Sequence, residues 1–217
     1  MKINTLEPWI DSKELEQLTK VIESTYVTEG PLTREFERLL QKYTGSKHVI
    51  AMANGSLAIF AALKAMGIGP GDEVIVPNLT FVATANSVIL AGAKPIFCEI
   101  YCDNFAIDLS HAERLVNKNT KAIMPVHLYG GIPDLFKIEK IANKNNLSII
   151  HDSAESLGAR YNKKHAASFK DVAIHSFFPN KIITTGEGGM LLTNNNEIYE
   201  KAKLYSRQGL SGKEEYK

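Results

Sequence analysis

HVIAMANGSLAIFAALKAMGIGPGDEVIVP, residues 48–77, has the strand–helix–strand pattern that recurs along the chain. Residues 48–53 and 73–77 are short apolar runs without polar alternation, which is typical of strands buried on both faces. Between them, residues 55–66 have the length and apolar content of a helix, and the loop GIGPGD follows. This order predicts parallel strands joined by a helix that covers the sheet.

The same alternation continues on both sides of this unit. Upstream, a first helix is expected after a cap at Asp11 or Ser12, and a second begins at Pro31. Downstream, helices are expected over residues 81–91, after Asp108, from a cap at Asp134 to about 144, and over 195–206. Strands are expected over residues 95–100, 121–126, 147–152, 171–177 and 188–194. The chain therefore predicts an α/β fold with a mostly parallel sheet and helices on both faces, a three-layer sandwich.

Composition and charge narrow the function classes. The 217 residues are 44% hydrophobic, and 25 basic residues face 24 acidic ones, a net charge of +1. This balance gives no electrostatic reason to expect nucleic acid or a membrane surface as a partner. No apolar stretch reaches the roughly 20 residues that cross a bilayer, and the N-terminus lacks the apolar core of a signal peptide. Cys98 and Cys102, without a second cysteine pair, predict reduced thiols and no metal site, so we expect a cytoplasmic protein.

In a sheet of this type, reactive groups gather beyond the carboxyl ends of the strands. Three segments occupy such positions: 54–56, 77–81 and 151–155. Asn54-Gly55-Ser56 follows a strand and begins a helix, so it fits a phosphate seat, although a plain N-cap at Ser56 explains it equally well. The glycine-rich loop 67–72 follows a helix and precedes a strand, the reverse of the order in a dinucleotide cradle.

Two further patterns carry reactive side chains. Asp152 and Glu155 follow a buried strand, where two carboxylates fit an acid/base pair, a metal site or N-cap chemistry. The six histidines are scattered along the sequence, and His151 is interpreted as a local hydrogen-bond partner. Lys181 lies in SFFPNKIITTGEGG, residues 176–189. Its ammonium either reaches solvent or loses its proton in a desolvated pocket and becomes a nucleophile.

An amine, a strand-end carboxylate and a phosphate seat are together the groups that pyridoxal phosphate requires. The amine would hold the aldehyde of the cofactor as a Schiff base. The carboxylate would keep the pyridine nitrogen protonated, and a helix N-terminus would bind the phosphate. These residues therefore predict pyridoxal 5'-phosphate as the cofactor.

The chain resembles the DegT/DnrJ/EryC1/StrS family of sugar aminotransferases, which are pyridoxal-phosphate enzymes of the aspartate-aminotransferase fold (fold type I). The resemblance is carried by VTEGPLTREFE (27–37), residues 53–97, PVHLYGG (125–131), HDSAESLGA (151–159), SFFPNKIITTGEGGMLLTN (176–194) and the ending RQGLSGKEEY (207–216). These stretches occur in the order of the family and cover nearly the whole chain. They imply the cofactor-binding large domain of that fold.

The resemblance also implies a role for each matching residue. Lys181 matches the Schiff-base lysine and general acid/base, Asp152 the carboxylate on the pyridine nitrogen, and Glu155 the residue beside the phenolic oxygen of the ring. Phe81 matches the aromatic side chain stacked on the ring, and Gly55, Ser56 and Ser176 match the phosphate binders. Because a carboxylate repels a phenolate, we expect a shared proton at Glu155. Sugar 3-dehydratases of the same fold carry histidine in place of the lysine, so Lys181 favours transamination.

The activity implied is transfer of an amino group from L-glutamate to a nucleotide-linked 4-keto-6-deoxy sugar, for polysaccharide such as O-antigen. The sites of the family form in homodimers and use groups from both subunits. The implied domains are an N-terminal arm and helix over residues 1–30 and the cofactor-binding large domain over 31–217, with the small C-terminal domain absent. A sugar 3-aminotransferase or dehydratase of the same fold, and a truncated homologue without catalysis, are the alternatives.

Overall fold

The computed structural model, which describes residues 3–4, 6–165 and 171–209, contains one large sheet and one small hairpin. The strands are β1 His48–Met52, β2 Glu73–Pro77, β3 Lys94–Cys98, β4 Thr120–Ile123, β5 Ser148–Asp152, β6 Arg160–Tyr161, β7 Lys164–His165, β8 Val172–Ser176 and β9 Gly189–Thr193. The hairpin consists of β6 and β7, and the sheet has the order β1-β9-β8-β5-β4-β2-β3. Neighbours in the sheet are parallel except at β9, which is antiparallel to both β1 and β8.

Helices cover both faces of this sheet. They are α1 Ser12–Glu23, α2 Pro31–Thr44, α3 Gly55–Ala65, α4 Ala83–Leu90, α5 Leu109–Leu115, α6 Leu135–Asn145 and α7 Asn196–Ser206, with a 3-10 turn at Leu128–Gly130. Apolar side chains of α3, α4 and α7 share one buried cluster with the sheet, and those of α5 and α6 share another on the opposite face. The predicted three-layer α/β architecture is confirmed.

The core follows from the alternation of side chains along the strands. Val74 and Val76 of β2 lie in the cluster with α3, whereas Ile75 lies in the cluster with α5 and α6. All three are fully buried, and burial of such a side chain contributes about 1.5–3 kcal/mol. Because both faces are apolar, the strand ends are the positions where polar groups can gather.

Most predicted elements are found within two or three residues of their expected bounds, with three local differences. The helix expected over residues 81–91 begins only at Ala83, so Phe81 lies in the turn before it. The strand expected over 121–126 ends at Ile123, and Val126 makes an isolated bridge to Asp152. The hairpin β6–β7 was not expected, because its two-residue turn has positive φ at Asn162 and Lys163 without the usual glycine.

The N-terminal segment differs in burial from the rest of the chain. Asp11 caps α1 as expected, accepting a hydrogen bond from Lys13 N while the Glu14 side chain accepts one from Asp11 N. The apolar side chains Leu15 and Leu18 are nevertheless exposed, and α1 has no buried residue. The domain division at residue 30 stays a prediction, and residues 210–217, which include most of the predicted family-like ending, lie outside the described residues. None of the described helices has the length and apolar character required to span a membrane.

Candidate active site

A cavity of about 310 Å³ opens at the carboxyl edge of the parallel strands. The ends of β1, β5 and β8 share this edge. Met52 and Ser176 both pair with Gly189 at the start of antiparallel β9, and β5 runs parallel to β8. All seven residues for which a role was predicted line this cavity: Gly55, Ser56, Phe81, Asp152, Glu155, Ser176 and Lys181. The fold therefore brings them together, and their roles stay predictions.

Asp152 is the last residue of β5 and is 95% buried. Its Oδ2 accepts a hydrogen bond from Thr84 Oγ1 at 2.8 Å, and its Oδ1 accepts one from Ala154 N at 3.2 Å. Burial raises the pKa of this carboxyl above its ordinary value, while the two hydrogen bonds and the Lys181 charge act in the opposite direction. A cationic N–H group bound in the cavity would favour the ionised form of this carboxyl.

Lys181 lies in the loop between β8 and β9, and backbone hydrogen bonds within this loop define its conformation. Lys181 N donates to Phe178 O at 2.9 Å, and Thr185 N donates to Phe177 O at 3.0 Å. The Phe177 ring is buried and packs on Phe36 of α2, with 5.2 Å between ring centroids. The Lys181 side chain lines the cavity, where it is only 12% exposed. The alternative in which the Lys181 ammonium reaches solvent is therefore wrong.

Glu155 connects the lysine to a second loop. Its Oε1 lies 3.1 Å from Lys181 Nζ, and its Oε2 accepts a hydrogen bond from Tyr129 N at 2.9 Å. Tyr129 has a left-handed backbone with φ of 52°, and its ring is exposed. The carboxylate therefore bridges the amine and the 127–131 turn.

The start of α3 forms the floor of the cavity beside β8. Asn54 is the N-cap, and its side chain accepts a hydrogen bond from Leu57 N at 2.9 Å, so the alternative of an N-cap at Ser56 is wrong. The N–H groups of the first helical turn have no intrahelical acceptors and favour an anion. A Cβ atom at Gly55 would lie 3.1 Å from Ser176 Cβ, so glycine permits this close approach of helix and strand.

Gly189 is a second position where backbone meets backbone. A Cβ atom there would lie 2.3 Å from the carbonyl carbon of Asn54. We expect Gly189→Ala to destabilise the protein by roughly 1–3 kcal/mol, since the helix start must move away. Urea unfolding measures the loss, and Gly69→Ala, whose Cβ meets nothing closer than 3.6 Å, is the matched control. Equal stability of the two variants would contradict this interpretation.

Three residues of the site were not predicted from the sequence. Thr84 donates to Asp152, Thr80 Oγ1 lies 2.8 Å from Thr84 Oγ1, and Tyr129 N donates to Glu155. Thr80 lies within the strand-end segment 77–81, so its position after a strand was a usable signal, whereas Thr84 lies beyond that segment. No sequence pattern indicated the backbone donor at Tyr129, because it depends on a turn.

Four of the histidines cluster on the other side of β5 and β8 from the cavity. His127 Nε2 lies 3.1 Å from His151 Nδ1, and the rings of His165 and His175 are 5.7 Å apart. Burial lowers the pKa of His151 and of His175 to about 4, so these rings are neutral near pH 7. The predicted hydrogen-bonding interpretation of His151 agrees with this contact to His127.

Comparison with known proteins identifies the family. The DegT/DnrJ/EryC1/StrS aminotransferase family model matches residues 8–217. A GDP-perosamine synthase of Caulobacter vibrioides is 44% identical over 216 residues, which cover 99% of this chain and 58% of that protein. The crystal structure of an aminotransferase from Psychrobacter cryohalolentis is 36% identical with a TM-score of 0.91, over 94% of this chain and 53% of that one. The PLP-form of Spr1654 from Streptococcus pneumoniae is 28% identical with a TM-score of 0.90, over 94% and 57%.

These matches confirm the predicted resemblance and the predicted fold. The chain spans little more than half the length of the relatives that it matches. Within that span the agreement extends from the N-terminal segment to the end of the chain. The chain belongs to the DegT/DnrJ/EryC1/StrS aminotransferase family.

Proposed function

We propose that this chain contains the cofactor site of a pyridoxal-phosphate-dependent aminotransferase that moves an amino group from L-glutamate to a nucleotide-linked 4-keto-6-deoxy sugar. The observation that carries the proposal is that Lys181 and Asp152 line one cavity together with Gly55 and Ser176. The GDP-perosamine synthase relative supports a GDP-linked sugar as the first acceptor to test. A product of this kind would serve polysaccharide synthesis.

The residues present fit the cofactor. The cavity volume of about 310 Å³ lies at the lower end of the roughly 300–1,000 Å³ range of small-molecule sites. The buried Asp152 carboxylate suits a protonated ring nitrogen, and the exposed Phe81 ring, which lines the cavity, offers a flat apolar face. The start of α3 and the Ser176 hydroxyl suit a phosphate group.

Bound pyridoxal phosphate supplies an aldehyde and an electron-accepting ring that together carry the amino group. Lys181 would supply the amine that holds the cofactor and, when that amine is free, the base that moves a proton at the substrate carbon. Asp152 would hold a proton at the ring nitrogen by its negative charge. Glu155 keeps the lysine nitrogen directed into the cavity through the 3.1 Å contact and excludes other orientations of the side chain.

We further propose that the site is completed in a homodimer. Lys181 is the sole cation among the described residues that line the cavity, where Asp152, Glu155 and Glu187 are acidic. A phosphate dianion is therefore met by neutral donors of this chain and gains from a cation of a second subunit. Exposed apolar side chains that line the cavity, Phe81 and Phe178, suit such a cover. Analytical ultracentrifugation tests this, and a monomer at micromolar concentration would contradict it.

The function is tested by adding pyridoxal phosphate to the purified protein. We expect the visible absorbance of a lysine-bound cofactor, its loss when L-glutamate is added, and its return with a GDP-linked 4-keto-6-deoxy sugar. UDP- and TDP-linked keto-sugars, including 3-keto compounds, form the comparison panel. Absence of the absorbance would contradict the cofactor site, whereas absorbance without transfer to any keto-sugar would support the alternative of a non-catalytic homologue.

Glu155→Gln tests the role of the second carboxylate. The amide still accepts the hydrogen bond from Tyr129 N but carries no charge beside the lysine or the phenolic oxygen of the cofactor. We therefore expect the pH midpoint of the cofactor absorbance to move by about one pH unit, which corresponds to roughly 1.4 kcal/mol of lost charge interaction. Spectrophotometric titration measures the shift. An unchanged midpoint would show that Glu155 shares no proton with the ring.

A further inference from the structure

A chain of two hydroxyl groups ends on the buried carboxylate of the site. Thr80 Oγ1 lies 2.8 Å from Thr84 Oγ1, and Thr84 Oγ1 lies 2.8 Å from Asp152 Oδ2. Thr84 is fully buried in the first turn of α4, whereas Thr80 is half-buried and lines the cavity. The two helix-start residues therefore link the cavity wall to the carboxylate that ends β5.

The direction of this chain follows from the number of protons available. A hydroxyl group has one proton to donate, so when Thr84 donates to an ionised Asp152 it can only accept from Thr80. Ala154 N donates to the other carboxylate oxygen. Both oxygens thus receive a donor from the protein and keep lone pairs that can accept a further hydrogen bond, and Asp152 lines the cavity.

We propose that Thr84 is a positioning residue that, supported by Thr80, holds Asp152 ionised and oriented as a hydrogen-bond acceptor toward the cavity. This inference rests on the proposed function, because an acceptor here serves a protonated ring nitrogen. A hydrogen bond to the charged form of a carboxyl favours that form. Without the Thr84 donor, only the Ala154 hydrogen bond and the Lys181 charge would oppose burial, so the protonated acid, which cannot hold a cationic N–H group, would be more favoured.

The other charged groups around Asp152 act on it from separate elements. Lys181 in the β8–β9 loop lowers its pKa and Glu155 after β5 raises it, both less than the Thr84 hydrogen bond lowers it. Glu187 also lines the cavity. Removal of the hydroxyl is therefore distinguishable from changes in these charges, because it alters no net charge.

The inference is tested on cofactor-free protein by NMR titration of carbon-13-labelled aspartate carboxyls, with the Asp152 signal assigned through Asp152→Asn. We expect Thr84→Val to raise the Asp152 titration midpoint by about one to two pH units, the shift expected for loss of a hydrogen bond to a charged group. Thr84→Ser should restore the midpoint to near its original value. Thr80→Val should produce a smaller rise, since Thr84 keeps its own proton for Asp152.

Thr44→Val is the matched control, because this buried threonine donates to Leu40 O in α2 and has no contact with Asp152. It should leave the Asp152 midpoint unchanged while removing a comparable buried hydroxyl. If valine does not fit at position 84, Thr84→Ala removes the same donor and places no methyl group where the hydroxyl was. An unchanged midpoint in the alanine or valine variant, or failure of serine to restore it, overturns the inference.

Cofactor binding gives a second and separate readout. Thr84→Val should weaken binding of pyridoxal phosphate by about tenfold or more, measured by absorbance, if ionised Asp152 holds the ring nitrogen. A shifted midpoint with no cofactor binding even in the unaltered protein would support the hydroxyl chain and contradict the proposed function. Normal cofactor binding together with an unshifted Asp152 midpoint in Thr84→Val would support the proposed function and contradict the role of the hydroxyl chain.

Discussion

Lys181→Ala is expected to remove the visible absorbance of the bound cofactor and to lower the rate of amino transfer by about 10²–10⁴-fold or more. Proton transfer by a positioned side chain alone accounts for a factor of this size, and the alanine also lacks the nucleophilic amine that we propose as the anchor of the cofactor. Absorbance spectra with pyridoxal phosphate and a coupled glutamate assay measure the two effects separately.

Two variants separate chemistry from charge and packing. Lys181→Arg keeps a cation beside Glu155 but offers no nucleophilic amine near neutral pH, so it should resemble the alanine variant in absorbance. Lys64→Ala removes a half-buried lysine in the last turn of α3, which is not among the residues that line the cavity, and should keep the absorbance. Normal absorbance in Lys181→Arg would show that Lys181 does not form the covalent link.

Asp152→Asn is expected to lower amino transfer by about 10²–10³-fold, the range for removing one preorganised electrostatic group. An amide has no charge with which to keep the ring nitrogen protonated. It also has one acceptor oxygen for two donors, so either Thr84 or Ala154 would face its NH₂ group. Steady-state kinetics measure the loss, and Asp152→Glu, which keeps the charge but moves it, should retain more activity than asparagine.

Asp152→Asn is expected to lower activity but to raise the stability of the cofactor-free protein, relative to the unaltered protein, as pH rises. Burial raises the pKa of Asp152 above its unfolded value of about 3.9. The folded state therefore binds this proton more tightly than the unfolded chain, and the stability that it contributes is lost as pH rises through the folded pKa. The unfolding free energy of Asp152→Asn, relative to the unaltered protein, should thus increase from pH 4 to pH 7. Urea unfolding at several pH values tests this, and a decrease would contradict the buried-carboxylate interpretation.

Much of the fold was predictable because its signals are local. The apolar runs 73–77 and 147–152 predicted β2 and β5 almost to the residue, since a strand buried on both faces needs a continuous apolar sequence. Asp11, Asp134 and Pro31 marked helix starts through preferences that operate within a few residues. The hairpin β6–β7 escaped prediction, because its turn adopts positive φ at residues with no strong preference for it.

The candidate site was predictable in its residue types and less so in its contacts. Lys181, Asp152 and Ser176 follow strands or lie near them, so their convergence at one sheet edge was an expected consequence of parallel strands. The Thr84 donor was not expected, because it lies 68 residues from Asp152 and only the packing of α4 brings the two together. Asn54 is the N-cap instead of Ser56 because α3 begins at Gly55, directly after Asn54.

The sequence by itself determined the order of helices and strands, the types of reactive side chain at the strand ends and the family, since these depend on residue types and short-range patterns. The tertiary structure decided which groups touch: Glu155 between Lys181 and the Tyr129 backbone, Thr84 on Asp152, and Gly189 against Asn54. It also gathered four histidines that are scattered in the sequence. The reason is physical: hydrogen-bond partners and close backbone contacts need positions fixed to a few tenths of an ångström, and only the packing of distant strands and helices fixes them.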